Sequence, residues 1–211
     1  RIKIFRPKTQ LMKDFELVRA IINVPSIKDT QVLDGGIGYV RMLQFGEDTA
    51  RDLQRALDEL AAQKVRALVL DLRSNPGGLL SAAVEVSQKF LRRGDLIVFT
   101  RGRDLRIERS YRARSRQIFP DVPMVVLINR ASASASEIVA GALQDYGRAV
   151  LVGDTQSHGK GTVQTVMQLG AERNGSMKVT TASFYRINGA STQRKGVAAD
   201  IVIPSLLEGL D

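Results

Sequence analysis

At 211 residues and 44% apolar side chains, the chain can bury one substantial core and has length for part of a second domain. It holds no cysteine, which excludes a disulfide framework, a thiolate metal site and a cysteine nucleophile. A formal net charge of +9 invites an acidic partner, yet aromatic residues are only 5% of the chain and only Phe99 and Tyr111 interrupt the arginine-dense stretch 92–116. That is too few rings for a single-strand stacking platform, so the stretch is expected to be a solvated hairpin face, not a nucleic-acid surface.

In chain order, residues 2–5 and 15–24 are β-like runs separated by Pro7 and a polar turn. Two such strands cannot stand alone, so they are expected to end something larger. Beyond Gly35-Gly36 the pattern alternates in the α/β manner: strand 37–43, helix 47–64, strand 67–72. Within that helix Leu53, Leu57 and Leu60 form one apolar stripe at i, i+4 and i+7. Helix 79–91, a β pair at 96–100 and 106–112, buried strand 124–128, helix 134–146 and strand 149–152 follow. The remainder is β-rich: 162–169 and 177–187, an Asn188-Gly189 hairpin turn, and a short tail strand at 201–203. No internal repeat is present. No apolar run approaches the roughly 20 residues that span a bilayer. The chain opens on Arg1 without a signal-peptide pattern, so a soluble fragment or processed form is expected.

Three serines crowd the start of the helix at 134–146: Ser132, Ser134 and Ser136. Ser134 is followed three residues later by Glu137, a capping-box pattern, so the bland reading is a helix cap. The same place also suits chemistry, because a helix N-terminus offers free N–H groups and a positive dipole end to an oxyanion. A base within reach separates cap from nucleophile. His158, the only histidine, would need a carboxylate such as Asp154 to complete a triad. Lys160, between Gly159 and Gly161, can be packed closely by backbone, and desolvation draws a lysine toward the neutral form that a base requires. By strand alternation Lys160, Thr162 and Gln164 share one face, so the Gln164 amide can orient the amine without holding it charged. A phosphate loop is rejected: five residues separate Gly153 from Gly159, and Gly161 stands where Ser or Thr should follow the lysine. A basic turn between strands remains the bland alternative.

The turn Asp71-Leu72-Arg73-Ser74-Asn75-Pro76-Gly77-Gly78 leaves a buried strand for a helix. Its glycines can bring a backbone N–H against a reacting carbonyl and, with the N–H of Ala135, form a two-donor oxyanion hole. A plain strand-to-helix turn is the other reading.

Four ordered motifs, residues 71–79, 132–138 (Ser-Ala-Ser-Ala-Ser-Glu-Ile), 140–145 (Ala-Gly-Ala-Leu-Gln-Asp) and 159–164 (Gly-Lys-Gly-Thr-Val-Gln), resemble the C-terminal processing peptidases, or tail-specific proteases. Residues 184–189 and 191–197 look like the same family, and the likeness runs from about Val24 to the C-terminus. It implies a crotonase-like α/β core of ββα units over 25–211, with 1–24 the remnant of a PDZ-like domain. It further implies Ser134 as nucleophile, Lys160 as general base, Gln164 as its orienting partner, and oxyanion donors at Gly77, Gly78 and Ala135. The expected reaction is endopeptidase cleavage near the C-termini of protein or peptide substrates through an acyl-enzyme. No cofactor, metal, nucleic acid or integral membrane segment is implied; a homo-oligomer is allowed, and the family setting is the periplasm or cell envelope. Two departures stand out: His158 occupies a position usually aromatic, and the loop 154–158 is one residue longer. A different class of function is a non-catalytic crotonase-like binding or assembly module in which Ser134 only caps a helix.

Overall fold

The computed structural model describes residues 1–20, 24–103, 108–170 and 175–203. Strands β1 (Ile2–Arg6) and β2 (Leu11–Phe15) pair antiparallel, from Ile2 opposite Phe15 to Arg6 opposite Leu11, and make a two-stranded sheet of their own. β2 falls on 11–15, where a polar turn was expected, because these are the residues that come opposite β1; the strand expected over 15–24 does not form at 16–20 or at 24, and residues 21–23 lie outside the described ones.

The main sheet has six strands in the order β12-β9-β8-β5-β4-β3. β3 (Ile27–Leu33) is an antiparallel edge strand joined to β4 (Ile37–Met42) through Gly35 and Gly36, whose φ values of 81° and 74° suit residues without Cβ. β5 (Ala67–Asp71), β8 (Met124–Ile128), β9 (Val150–Gly153) and β12 (Ile201–Val202) run parallel to β4. β3 escapes the sequence periodicity because Lys28-Asp29-Thr30-Gln31 leave it mostly solvated. β8 coincides with its expected span, being apolar throughout.

Among the described residues three helices cover the sheet. α1 (Thr49–Ala62) buries the Leu53, Leu57 and Leu60 stripe, each leucine fully enclosed and worth about 1.5–3 kcal/mol of transfer from water. α2 (Leu80–Ser87) stops four residues short of expectation, since the N–H groups of Lys89 and Phe90 turn back to Val86 and Ser87. α3 (Ala135–Asp145) packs against α2 and β9. Both α2 and α3 also touch β6 (Leu96–Gly102) of a second, antiparallel sheet, β10-β11-β6-β7, built from β10 (Thr162–Gln168), β11 (Ser176–Tyr185) and β7 (Glu108–Arg112). Ligands in parallel sheets gather at the carboxyl ends of the strands. Here β5 and β8 are neighbours, and each gives way at that end to a turn leading into a helix.

Candidate active site

The turn after β5 is braced from below. Asp71 is fully buried and accepts bonds from the Tyr39 hydroxyl at 2.7 Å and from Arg73 through Nη2 at 2.6 Å, Nε at 3.0 Å and its backbone N–H at 2.9 Å. Burial works against its ionisation, but those bonds outweigh it and hold the Asp71 carboxyl below the usual range. Asn75, also fully buried, laces this turn to the next: its Nδ2 donates to the Met42 carbonyl, and its own carbonyl accepts both the Ala133 N–H and the Ser136 hydroxyl at 3.0 Å. Ser132 Oγ donates to the Leu72 carbonyl at 2.8 Å. Of the three crowded serines, two are therefore structural, and Ser134 is left for the cleft.

Gly77 and Gly78 have φ of 92° and 150°. A Cβ on Gly77 would stand 2.5 Å from the Ala133 oxygen and 2.8 Å from Ser134 Cβ; one on Gly78 would stand 2.1 Å from the Phe45 oxygen. Of the three expected oxyanion donors, the Gly77 N–H is committed to Asn75 Oδ1 at 2.9 Å. The N–H groups of Gly78 and Ala135 have no partner among the described residues, and both residues line the same cleft as Ser134.

Ser134 is the N-cap of α3 and sits at φ 56°, ψ −110°, a backbone setting that strains any residue with a side chain by about 1–3 kcal/mol. The glutamate half of the capping box is formed: the Glu137 side chain accepts the Ser134 N–H. Its glutamate does more than cap, however. Glu137 is fully buried, and its Oε2 accepts the N–H of Ser134 at 2.7 Å and that of Lys160 at 2.9 Å. Its Oε1 accepts the Gly159 N–H and the Ser157 hydroxyl, both at 2.6 Å. One carboxylate thus ties the helix start to the lysine loop with four bonds. Sequence reasoning saw only the cap, because three of the four donors lie more than one element downstream; an acid on the buried face of a helix start was the available signal.

The lysine loop is also framed by the segment at 191–197. Arg194 N–H donates to the Gly159 oxygen and Gly161 N–H to Gln193 Oε1, each at 2.7 Å; Ser157 and Val197 exchange two bonds at 2.8 and 3.0 Å. The longer loop is thereby fixed at both ends. His158 is exposed, does not line the cleft, and is held by its backbone N–H on the Ser132 carbonyl. Lys160 is half-buried and lines the cleft, a space of about 360 Å³, together with Ser134, Thr162 and Gln164. Among the described residues no hydrogen bond joins Ser134 Oγ to Lys160 Nζ; both residues are tied by their backbones, through Glu137. Beyond the cleft, Arg186 reaches Asp145 at 2.6 and 3.0 Å and Gln144 at 2.9 Å, which joins the end of α3 to the end of β11. Among the described residues no three His, Asp or Glu side chains gather as a metal site requires.

The model of peptidase family S41 matches residues 36–203. The chain belongs to peptidase family S41. Within this family it is 45% identical over 206 residues to a carboxy-terminal-processing protease of Bartonella bacilliformis, covering 94% of this chain and 46% of that protein. With a tail-specific protease of Haemophilus influenzae it shares 39% identity over 179 residues, 82% of this chain and 25% of that one. Among solved structures, a photosystem II D1 C-terminal processing protease superposes with a TM-score of 0.73 at 33% identity, over 96% of this chain and 55% of that chain. The S41 chain described here thus spans about half the length, or less, of these relatives. No described helix is long and apolar enough to cross a membrane.

Proposed function

We propose that the cleft is the site of a serine endopeptidase that cuts protein substrates near their C-termini. Ser134 Oγ attacks the scissile carbonyl as the Lys160 amine takes the hydroxyl proton; the ammonium then returns it to the leaving amine. Water, deprotonated by the same lysine, hydrolyses the acyl-enzyme, and the serine regains its proton. Gly78 and Ala135 N–H groups hold the oxyanion, while Gly77 gives the close approach of the two turns without donating. Gln164, on the cleft face of β10, orients the amine. No metal or cofactor enters these steps.

The observation that carries this reading is the Glu137 carboxylate bound to the N–H of both Ser134 and Lys160 in one cleft that also holds two unpaired N–H groups. A helix cap alone needs no such link to a lysine loop. The names of the relatives agree with processing of C-termini. We read 25–211 as a crotonase-like core and the self-paired β1–β2 hairpin, in 1–24, as the end of a PDZ-like domain. An extracytoplasmic setting in the periplasm or cell envelope, and self-association, belong to the same reading. Ser134→Ala and Lys160→Ala test it on an unfolded protein substrate. Each is expected to lower hydrolysis by about 10³-fold or more with the fold intact by circular dichroism; full proteolysis by either variant would leave a non-catalytic module.

A further inference from the structure

Asn75 stands between the two turns that build the cleft, and its bonds flank both of the N–H groups left free there. Its Oδ1 accepts the N–H of Gly77, the residue before Gly78, at 2.9 Å. Its carbonyl accepts the Ala133 N–H and the Ser136 hydroxyl, both at 3.0 Å, and these two residues lie on either side of Ser134 and Ala135. Nδ2 donates to the Met42 carbonyl at 3.0 Å and the Asn75 N–H to the Leu72 carbonyl at 3.2 Å, which ties the residue to the last position of β4 and the first beyond β5. Every polar atom of this fully buried residue is thereby bonded.

These bonds decide which glycine can donate. Pro76 has no N–H to offer, and the Gly77 N–H is taken by the Asn75 amide oxygen. Phe45 forms a parallel bridge with Gly78: its N–H donates to the Gly77 carbonyl at 3.0 Å and its carbonyl accepts the Leu79 N–H at 2.8 Å. A bridge of that kind uses the residues before and after Gly78 and turns the Gly78 N–H away from Phe45. The two turns also touch, since a Cβ on Gly77 would stand 2.8 Å from the Ala135 nitrogen. An Asx turn needs only the bond from Gly77 to the Asn75 side chain; the hold of the same residue on Ala133 and Ser136 is not part of that turn.

We infer that Asn75 is the positioning residue of the oxyanion hole: its side chain withdraws the Gly77 N–H, so that Gly78 donates in its place, and its carbonyl fixes Ala135 opposite. This rests on the peptidase reading of the cleft. Asn75 does not line the cleft and touches no reacting atom. A hydrogen bond to a developing oxyanion is short and directional, so a small displacement of either donor weakens binding of the transition state more than binding of the substrate. Removing the Asn75 side chain frees the Gly77 N–H and releases the turn from Met42, while the side chains that line the cleft stay the same.

The test starts from a cut that wild-type protein makes in an unfolded protein substrate. A peptide spanning that cut is the substrate, and its amino-terminal product is made both as an aldehyde and as a carboxamide. Ser134 Oγ adds to the aldehyde carbon, its proton passes to Lys160, and the carbonyl oxygen becomes the oxyanion; the carboxamide binds without that step. In Asn75→Ala protein that is folded by circular dichroism, kcat is expected to fall about 100-fold with KM within about twofold, and the aldehyde to bind about 100-fold more weakly with the carboxamide unchanged. Asn75→Asp keeps the acceptor for Gly77 and loses the donor to Met42, so it is expected to fall between Asn75→Ala and wild type. Equal weakening of aldehyde and carboxamide, or an unchanged aldehyde, overturns the assignment. If Asn75→Ala does not fold, Ser136→Ala decides, because it removes one strap from the Asn75 carbonyl: an aldehyde about tenfold weaker beside an unchanged carboxamide supports the role, and equal changes overturn it. A wild type that neither cuts protein nor prefers the aldehyde overturns the peptidase reading and this inference with it. An active wild type with unaffected variants overturns the inference alone.

Discussion

Two turns leave neighbouring parallel strands and lead into neighbouring helices, yet they meet their backbone demands in opposite ways. After β5, the left-handed settings beside the cleft fall on Gly77 and Gly78, which have no Cβ to crowd Ala133, Ser134 or Phe45. After β8, a comparable setting falls on Ser134, which has one. Glycine at that position would be easier to fold. A strained residue whose backbone N–H is held by Glu137, in a turn laced by Asn75 to the one before it, indicates that this turn is built for the position of its side chain rather than for stability.

The contrast breaks most completely at Gly78. Gly78→Ala drives a Cβ to 2.1 Å from the Phe45 oxygen, and unfolding by urea is expected to show a loss of about 3 kcal/mol or more. Next comes Glu137→Gln, which places an NH2 among donors and leaves buried N–H or O–H groups unmatched; a loss of about 2–3 kcal/mol is expected, with hydrolysis down about 100-fold in the fraction that still folds. A smaller change of opposite sign sharpens the comparison: Ser134→Gly removes the strain and should raise stability by about 1 kcal/mol, seen as a higher Tm, while abolishing hydrolysis. An unchanged or lower Tm would mean that the serine is not strained in solution. The smallest effect is confined to acid. Because the folded Asp71 carboxyl lies below its unfolded value of 3.8, its contribution is present above that value and is lost as pH falls toward the folded one. Asp71→Asn, less stable at neutral pH, should therefore lose less further stability than wild type between pH 5 and pH 2 in thermal melts.

Strands whose apolar content is continuous were readable from the chain alone, as β8 is between Pro123 and Asn129. β3 was not, since an edge strand pairs on one side and tolerates Lys28 to Gln31. Ser134, Lys160 and Gln164 emerge in one cleft, the three residues that motif and alternation had singled out. Two features of the site lay beyond reach. The commitment of the Gly77 N–H to Asn75 depends on a side chain two residues back turning inward, and the Glu137 junction depends on where residues 157–160 come to rest. Neither is a local pattern; both are products of the finished packing.

The frame around the lysine loop carries a consequence in time. Chains are made from the amino end, so Ser134 and its helix leave the ribosome well before residues 191–197 exist. Until Gln193, Arg194 and Val197 dock on residues 157–161, the loop bearing Lys160 lacks most of the backbone partners that hold it outside Glu137. On the proposed mechanism, a half-made chain therefore has a nucleophile but no seated base, and the ability to cut protein arrives only when almost the whole domain is present to be folded.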